Sequence, residues 1–532
     1  MIKLNPELLS SENIGEPRGL YNPMQFVLRL RKDIQRELND LPLGIYTASD
    51  ITATQLQAYS TYLHETIHWW QHVGSNFGLV SSLKFPVQHH LVYSILKKVL
   101  ETIGPFKSIL KYNAADAKDE NINQILNNWY DIEFASQIAF DPSRIERFTA
   151  NPYFESWGHS YHIMWGATNW TLASTFDPDL SFLPNINNWG EGFRKLKDSK
   201  TESFYYGSPN TMPPLGTRSI FEGQARFSQL QYLYFASGGK LDFNAFHKAG
   251  MLEGIYNHAF TLFLEILGEA FPATPDHPLI ALFLLVCDLA INPVDGFPFD
   301  LTHHEVFIIT NDPGYRFTLI CQMIRDYHPD VKKAIRNYSK DEYIYFSEKL
   351  SSSIGCFSPH ESATFILNWI KSPSIRTLLE QEESYQYTSS NLPIRLFFSK
   401  FLRFQEDKAK HPQFFCWPGI HMIEFPENKF SLVESYELFE KHKALFIDDE
   451  NGNIFHSACK KYTVERVNDT FNNFFGWNTL YTMVREWIAV DGPFTYDYQW
   501  LSTNINKDEM KNWVCQTFES TFNVHPDSFK IL

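Results

Sequence analysis

From Thr52 onward the apolar residues recur at intervals of three and four, the spacing that lines them up along one face of an α-helix. This periodicity predicts helices at 53–73, 88–103, 121–139, 158–174, 219–236, 243–270, 278–290, 314–337, 341–351, 360–369, 394–407, 431–443, 464–488 and 507–520. Only short segments follow a different rule. Gln25 to Arg31 (QFVLRLR) alternates with period two, and Leu43 to Thr47 (LGIYT) is a second candidate strand. Within Ala444 to Ser457, Asn451-Gly452 between short apolar runs signals a β-hairpin. The expected class is mainly α with a small β component (α+β).

A 44% hydrophobic and 20% charged chain has the balance of a folded globular protein, far from that of disorder. Its 46 basic residues against 61 acidic ones give a net charge of −15, which excludes a general nucleic-acid binder, because phosphate contacts need a basic surface. Cys287, Cys321, Cys356, Cys416, Cys459 and Cys515 show no CxxC pair, so a disulfide scaffold is not expected and a reduced, cytoplasmic setting is. The start lacks the apolar core of a secretory signal. The most apolar run, Leu279 to Ile291, carries Asp288 and is too short to span a membrane, so it reads as a buried core helix. Tyr206 to Gly216 reads as a loop before a helix and Ser351 to Pro359 as a further break, and the boundary of a C-terminal region is expected between 293 and 360, near residue 310. The acidic DDENGN at 448–453 resembles a calcium loop, but aligning Gly452 with the loop glycine puts Ile447 at the first ligand position, so no calcium site is expected there.

Leu63-His64-Glu65-Thr66-Ile67-His68 contains HExxH inside a strong helix signal. Residues four apart share a helix face, so His64 and His68 can each bring one imidazole nitrogen to a single metal ion, while Glu65 can reach a water beside it. At this chain's own residue frequencies the pattern arises by chance roughly 0.04 times, so it is informative. Thr52 and Gln55 supply a capping box for the helix, and Leu56, Tyr59, Leu63, Ile67 and Trp70 form its apolar stripe, with the histidines to one side.

A zinc site needs a third protein ligand. His72 lies about 12 Å along the axis from His64 on a straight helix and cannot converge with both histidines; it reads as a supporting or C-terminal group, where a cation is favoured. Gly74 stands where a longer HExxHxxGxxH pattern would need histidine. The better candidate is Glu222, in Ser219-Ile-Phe-Glu-Gly-Gln-Ala-Arg226, at the opening of a helix that ends near Gly238-Gly239. Ser219 and Glu222 also spell a capping box, which would spend the glutamate on the helix end; Gly223, which permits close helix approach, favours the ligand reading. Glu265, Glu269 and Asp288 read more simply as solvated or capping groups. Tyr205, Tyr206, Arg226, Tyr256 and His258 are candidate oxyanion or substrate contacts by residue type and proximity. His159 with His162, His89 with His90, and His303 with His304 read as ordinary histidines.

HETIH followed by EGQA resembles the gluzincin branch of the zincin metallopeptidases, and LHETIHWWQHVGSNFGL resembles uncharacterised bacterial proteins of that type. The resemblance implies Zn2+ held by His64, His68 and Glu222, with Glu65 as general base. It also implies a zincin-like catalytic region over 1–310, with a small N-terminal sheet and large helical insertions, the 154 residues from His68 to Glu222 among them, followed by a mainly helical region over 311–532. Zincins have an edge strand beside the active-site helix that pairs with an extended peptide, a role that Leu43 to Thr47 would fill.

The expected function is therefore a zinc-dependent peptidase that hydrolyses peptide or protein substrates with a metal-activated water, without nucleic-acid or membrane partners. Two alternatives belong to other classes: a catalytically silent scaffold that binds a protein, and a metal-dependent hydrolase of a non-peptide amide. An intact Glu65 argues against the silent scaffold, since only catalysis needs a base there.

Overall fold

Helix starts follow capping chemistry. Thr52 caps Ala53–Gly74 through the expected box, its Oγ1 accepting from Gln55 N while Gln55 Oε1 accepts from Thr52 N. Ser339 with Glu342, Ser358 with Glu361 and Ser431 with Glu434 form the same device further on. The computed structural model describes residues 18–41, 44, 50–115, 119–201, 211–423, 431–457, 461–498 and 506–532. It is mainly helical, and among the described residues no helix is long and apolar enough to cross a membrane.

Most predicted helices are present within a few residues of their expected bounds. The 243–270 prediction divides into Phe243–Lys248 and Ile255–Leu267, because Gly250 and Gly254 take positive φ between them. The 314–337 prediction stops at Tyr327, where Pro329 cannot continue the hydrogen-bond ladder and a 3₁₀ turn follows. Pro278–Ile291 is buried at every residue from Leu279 to Ile291, as a core helix should be. No disulfide joins the described cysteines, and Cys459 lies outside the described residues.

The main sheet has four short strands in the order β1 (Gly19–Asn22), β2 (Val27–Leu30), β4 (Phe446–Asp448) and β5 (Ile454–His456); β3 (Phe106–Lys107) pairs separately with β6 (Lys530–Ile531). β4 and β5 are the expected hairpin, turning at Gly452 with positive φ. β2 runs parallel to β4, Val27 opposite Phe446, so the sheet joins the two ends of the chain across the division expected near residue 310. Leu43 to Thr47 lies outside the described residues apart from Gly44.

This sheet positions the HExxH helix, Ala53–Gly74, hereafter the motif helix. Far from showing one apolar stripe, the helix is buried at every residue from Leu63 to Gly74. β1, the helix Thr217–Ala236 and the helix Leu392–Lys410 all pack against it. Removing Leu63, Trp69 and Val73 from water stabilises this arrangement by roughly 1.5–3 kcal/mol per large side chain. The C-terminal end is tied down as well: Gly74 O accepts from Lys408 Nζ (2.7 Å) and Gln405 Nε2 (3.1 Å), and a Cβ at Gly74 would lie 2.8 Å from the Phe404 ring.

Candidate metal centre

The motif helix and the Thr217–Ala236 helix, hereafter the glutamate helix, run antiparallel. Gln71 meets Phe221 and Gln224 at one end, the two histidines meet Glu222 in the middle, and Ser60 meets Gln229 and Tyr59 meets Tyr232 at the other end. This pairing brings residues 154 positions apart into one cluster. His64 Nε2 and His68 Nε2 are 3.2 Å apart, and each is 3.5 Å from Glu222 Oε2. A tetrahedral ion with ligand bonds of about 2.0–2.1 Å holds its donors roughly 3.3–3.4 Å apart, so the three atoms have the spacing of three corners of such a shell. Among the described residues no other group of three or more His, Cys, Asp or Glu side chains converges in this way.

Glu222 is available because the glutamate helix begins earlier than its capping signal suggests. The N-cap is Gly216, the first turn starts at Thr217, and Ser219 Oγ bonds to His258 Nδ1 (3.0 Å) in place of closing a box with Glu222. Gly223 has a different role from the expected one. A Cβ there would lie 3.2 Å from Phe283 and 3.3 Å from Ala259, so its bareness admits the helices behind the glutamate helix and does not face the motif helix.

Gln71 organises the centre, and sequence reasoning passed it over. Its Oε1 lies 2.8 Å from His68 Nδ1, and its Nε2 donates to Phe221 O (3.0 Å) and Gln224 Oε1 (2.8 Å). With its amide oriented by those acceptors, Gln71 accepts the Nδ1 proton of His68 and leaves the Nε2 lone pair directed at Glu222. The signal was present in HETIHWWQ, where Gln71 follows His68 by three residues and shares its face.

Burial and charge divide the proton affinities of the cluster. Burial lowers His64 to about 3, reinforced by the nearby charges of Arg226 and His68. Burial opposes charging His68 too, but the Glu222 carboxylate outweighs it and raises His68 to about 9. Burial likewise disfavours the charged form of Glu222, yet His68 and His64 hold its carboxyl far below the usual range. The carboxylate thus attracts a cation into the space between the donors: a proton on His68, or a metal ion competing for the same lone pairs.

Glu65 points from the motif helix towards β1. It is buried, its carboxylate accepts a hydrogen bond from the Tyr21 backbone, and burial raises it to about 7 despite the opposing charge of His68. Arg31 N donates to Arg18 O, so in the antiparallel pairing of β1 with β2 residue 18 faces β2 while Gly19 and Tyr21 turn their backbone polar groups to the other edge, which no described strand pairs and where Glu65 lies. Among the described residues, the strand beside the motif helix is β1.

The remaining predicted residues fall in several places. His72 is packed between Tyr21 and Phe221 and lies outside the donor cluster; burial lowers it to about 3, so the expected helix-terminal cation is a neutral ring. Arg226 and Tyr256 flank His64, His258 is exposed at the start of the glutamate helix, and Tyr205 and Tyr206 lie outside the described residues. Asp288 is buried, contrary to its expected solvation, and accepts from Tyr343 Oη (2.6 Å) and Asn292 Nδ2 (3.1 Å), while Glu269 pairs with Lys332. No family model, curated protein or solved structure matches this chain.

Proposed function

We infer that this chain is a zinc-dependent peptidase of zincin-like type. The observation that carries this reading is the near-tetrahedral spacing of His64 Nε2, His68 Nε2 and Glu222 Oε2, with the carboxylate of Glu65 beside them and outside the donor set. Two histidines and a glutamate are a donor set that suits zinc, which when bound would supply Lewis acidity for the carbonyl and make a water more acidic.

The protein's own groups do the rest. Glu65 takes the proton from the attacking water and returns it to the departing amine. Tyr21 holds the carboxylate through its backbone. No described strand pairs with the outer edge of β1 next to Glu65, and an extended peptide adding there would form a further strand. A buried carboxylate is costly in a protein that makes no use of its charge, which favours an enzyme over a silent scaffold.

Elemental analysis and hydrolysis of a peptide mixture by wild type and Glu65→Gln test the reading together. About one zinc per chain is expected in both proteins, with hydrolysis by the variant lower by at least about 10²-fold. Equal hydrolysis by the two would remove Glu65 as the base, and absence of bound zinc would remove the peptidase reading itself.

A further inference from the structure

Among the described residues, one cationic side chain at the centre has no counter-ion. Arg226 lies one helical turn beyond Glu222 on the same face of the glutamate helix. Its Cζ sits 4.0 Å over the Tyr256 ring, which in turn meets the His64 ring edge-on at 6.1 Å. Its Nη1 donates to Gln229 Oε1 (2.5 Å), and Gln229 Nε2 donates to Ser60 Oγ (3.0 Å), one turn before His64 on the motif helix. The guanidinium is therefore braced from both helices.

Its Nε is buried with no hydrogen-bond partner, and among the described residues it makes no ion pair, the oxygen of Glu222 being turned to the histidines. Arg226 is close enough for its charge to act on His64, Glu65 and Arg18, the last at the mouth of β1. Among the described residues the arginine charge is thus left unpaired at a half-buried position, where an unpaired charge is expensive.

We propose that Arg226 forms an anion subsite that binds a carboxylate of the substrate next to the scissile bond. A guanidinium presents paired N–H donors that match a carboxylate, and stacking on Tyr256 fixes the plane of the fork. The carboxylate is either the free C-terminus of a peptide or an Asp or Glu side chain. The proposal rests on the peptidase reading for its substrate, but the subsite can be measured without turnover.

The test uses full-length Glu65→Gln protein loaded with zinc and fluorescently labelled hexapeptides in matched forms: free acid against C-terminal amide, and Glu against Gln beside the central bond. Binding is read by anisotropy. The carboxylate member of one pair is expected to bind at least ten times more tightly, and the pair that shows the difference identifies the source. Arg226→Gln in the same background should erase the difference, whereas Arg226→Lys keeps part of it. Thermal melting reports whether each variant is folded; if Arg226→Gln is not, the paired peptides on the unsubstituted arginine still decide. Matched peptides that bind alike, or fail to bind at all, overturn the subsite, as does a loss in Arg226→Gln that is equal for both members. A carboxylate preference without hydrolysis by the wild type would keep the subsite and discard the peptidase; hydrolysis with no preference would do the reverse.

Discussion

Gly19 lies directly against Glu65: a Cβ on Gly19 would stand 2.6 Å from the glutamate Cγ and 2.7 Å from its Oε1. β1 has little room to retreat, because its other edge is paired with β2 along its whole length. Gly19→Ala should therefore displace the Glu65 carboxylate and leave the three donors in place. The expected result is unchanged zinc content, a loss of stability of about 1–3 kcal/mol from overpacking, and kcat/KM lower by at least about tenfold through misplacement of the base. Zinc analysis, thermal melting and peptide hydrolysis on one preparation check all three. Wild-type hydrolysis in the variant would show that this contact does not set the position of the base.

Gln71→Leu keeps the volume of the side chain and removes its hydrogen bonds. His68 Nδ1 loses its acceptor, and Phe221 O and Gln224 Oε1 lose a donor. With the imidazole no longer fixed, zinc affinity should fall by about 10–100-fold, the usual consequence of losing the partner behind a ligating histidine. Competition with a chromophoric chelator measures it. Affinity equal to that of the wild type would mean that helix packing alone orients His68.

The two helices of the centre were legible because each carries its own local code: a capping box at Thr52 and Gln55, and a long apolar periodicity that ends at Gly238 and Gly239. β1 was not legible. Four residues, GLYN, show no alternation, and the sheet they begin is completed by a hairpin more than 400 positions later. Trp189–Ser199 (Trp189, Phe193, Leu196) and Pro373–Ser384 (Ile375, Leu378, Leu379) do space their apolar residues at helical intervals, but two glycines in the first and a mostly polar composition in the second make these short signals easy to pass over. The ligands could be named because residue type and helical spacing restrict them. What Gly223 touches, and that Asp288 is buried, depends on helices brought together only by the fold.

Glu382 gives the stability of the scaffold behind the motif helix a defined dependence on pH. Its carboxylate, on Pro373–Ser384, pairs with Lys400 and with Arg403 (3.0 Å), both on the Leu392–Lys410 helix whose Gln405 and Lys408 hold the end of the motif helix. Burial disfavours the charge, but the two cations outweigh it and hold the carboxyl at about 2, below its ordinary 4.5. The folded state therefore binds the proton less readily than the unfolded chain, so the contribution is fully present above about pH 4.5, declines as the pH falls, and is gone near pH 2. The shift corresponds to roughly 3 kcal/mol at neutral pH. Glu382→Gln should lower the unfolding temperature most at pH 7, and the gap from wild type should close as melting is repeated at pH 5, 4 and 3. A gap that stays constant across that series would assign the effect of the substitution to packing, with no part for the ionised carboxylate.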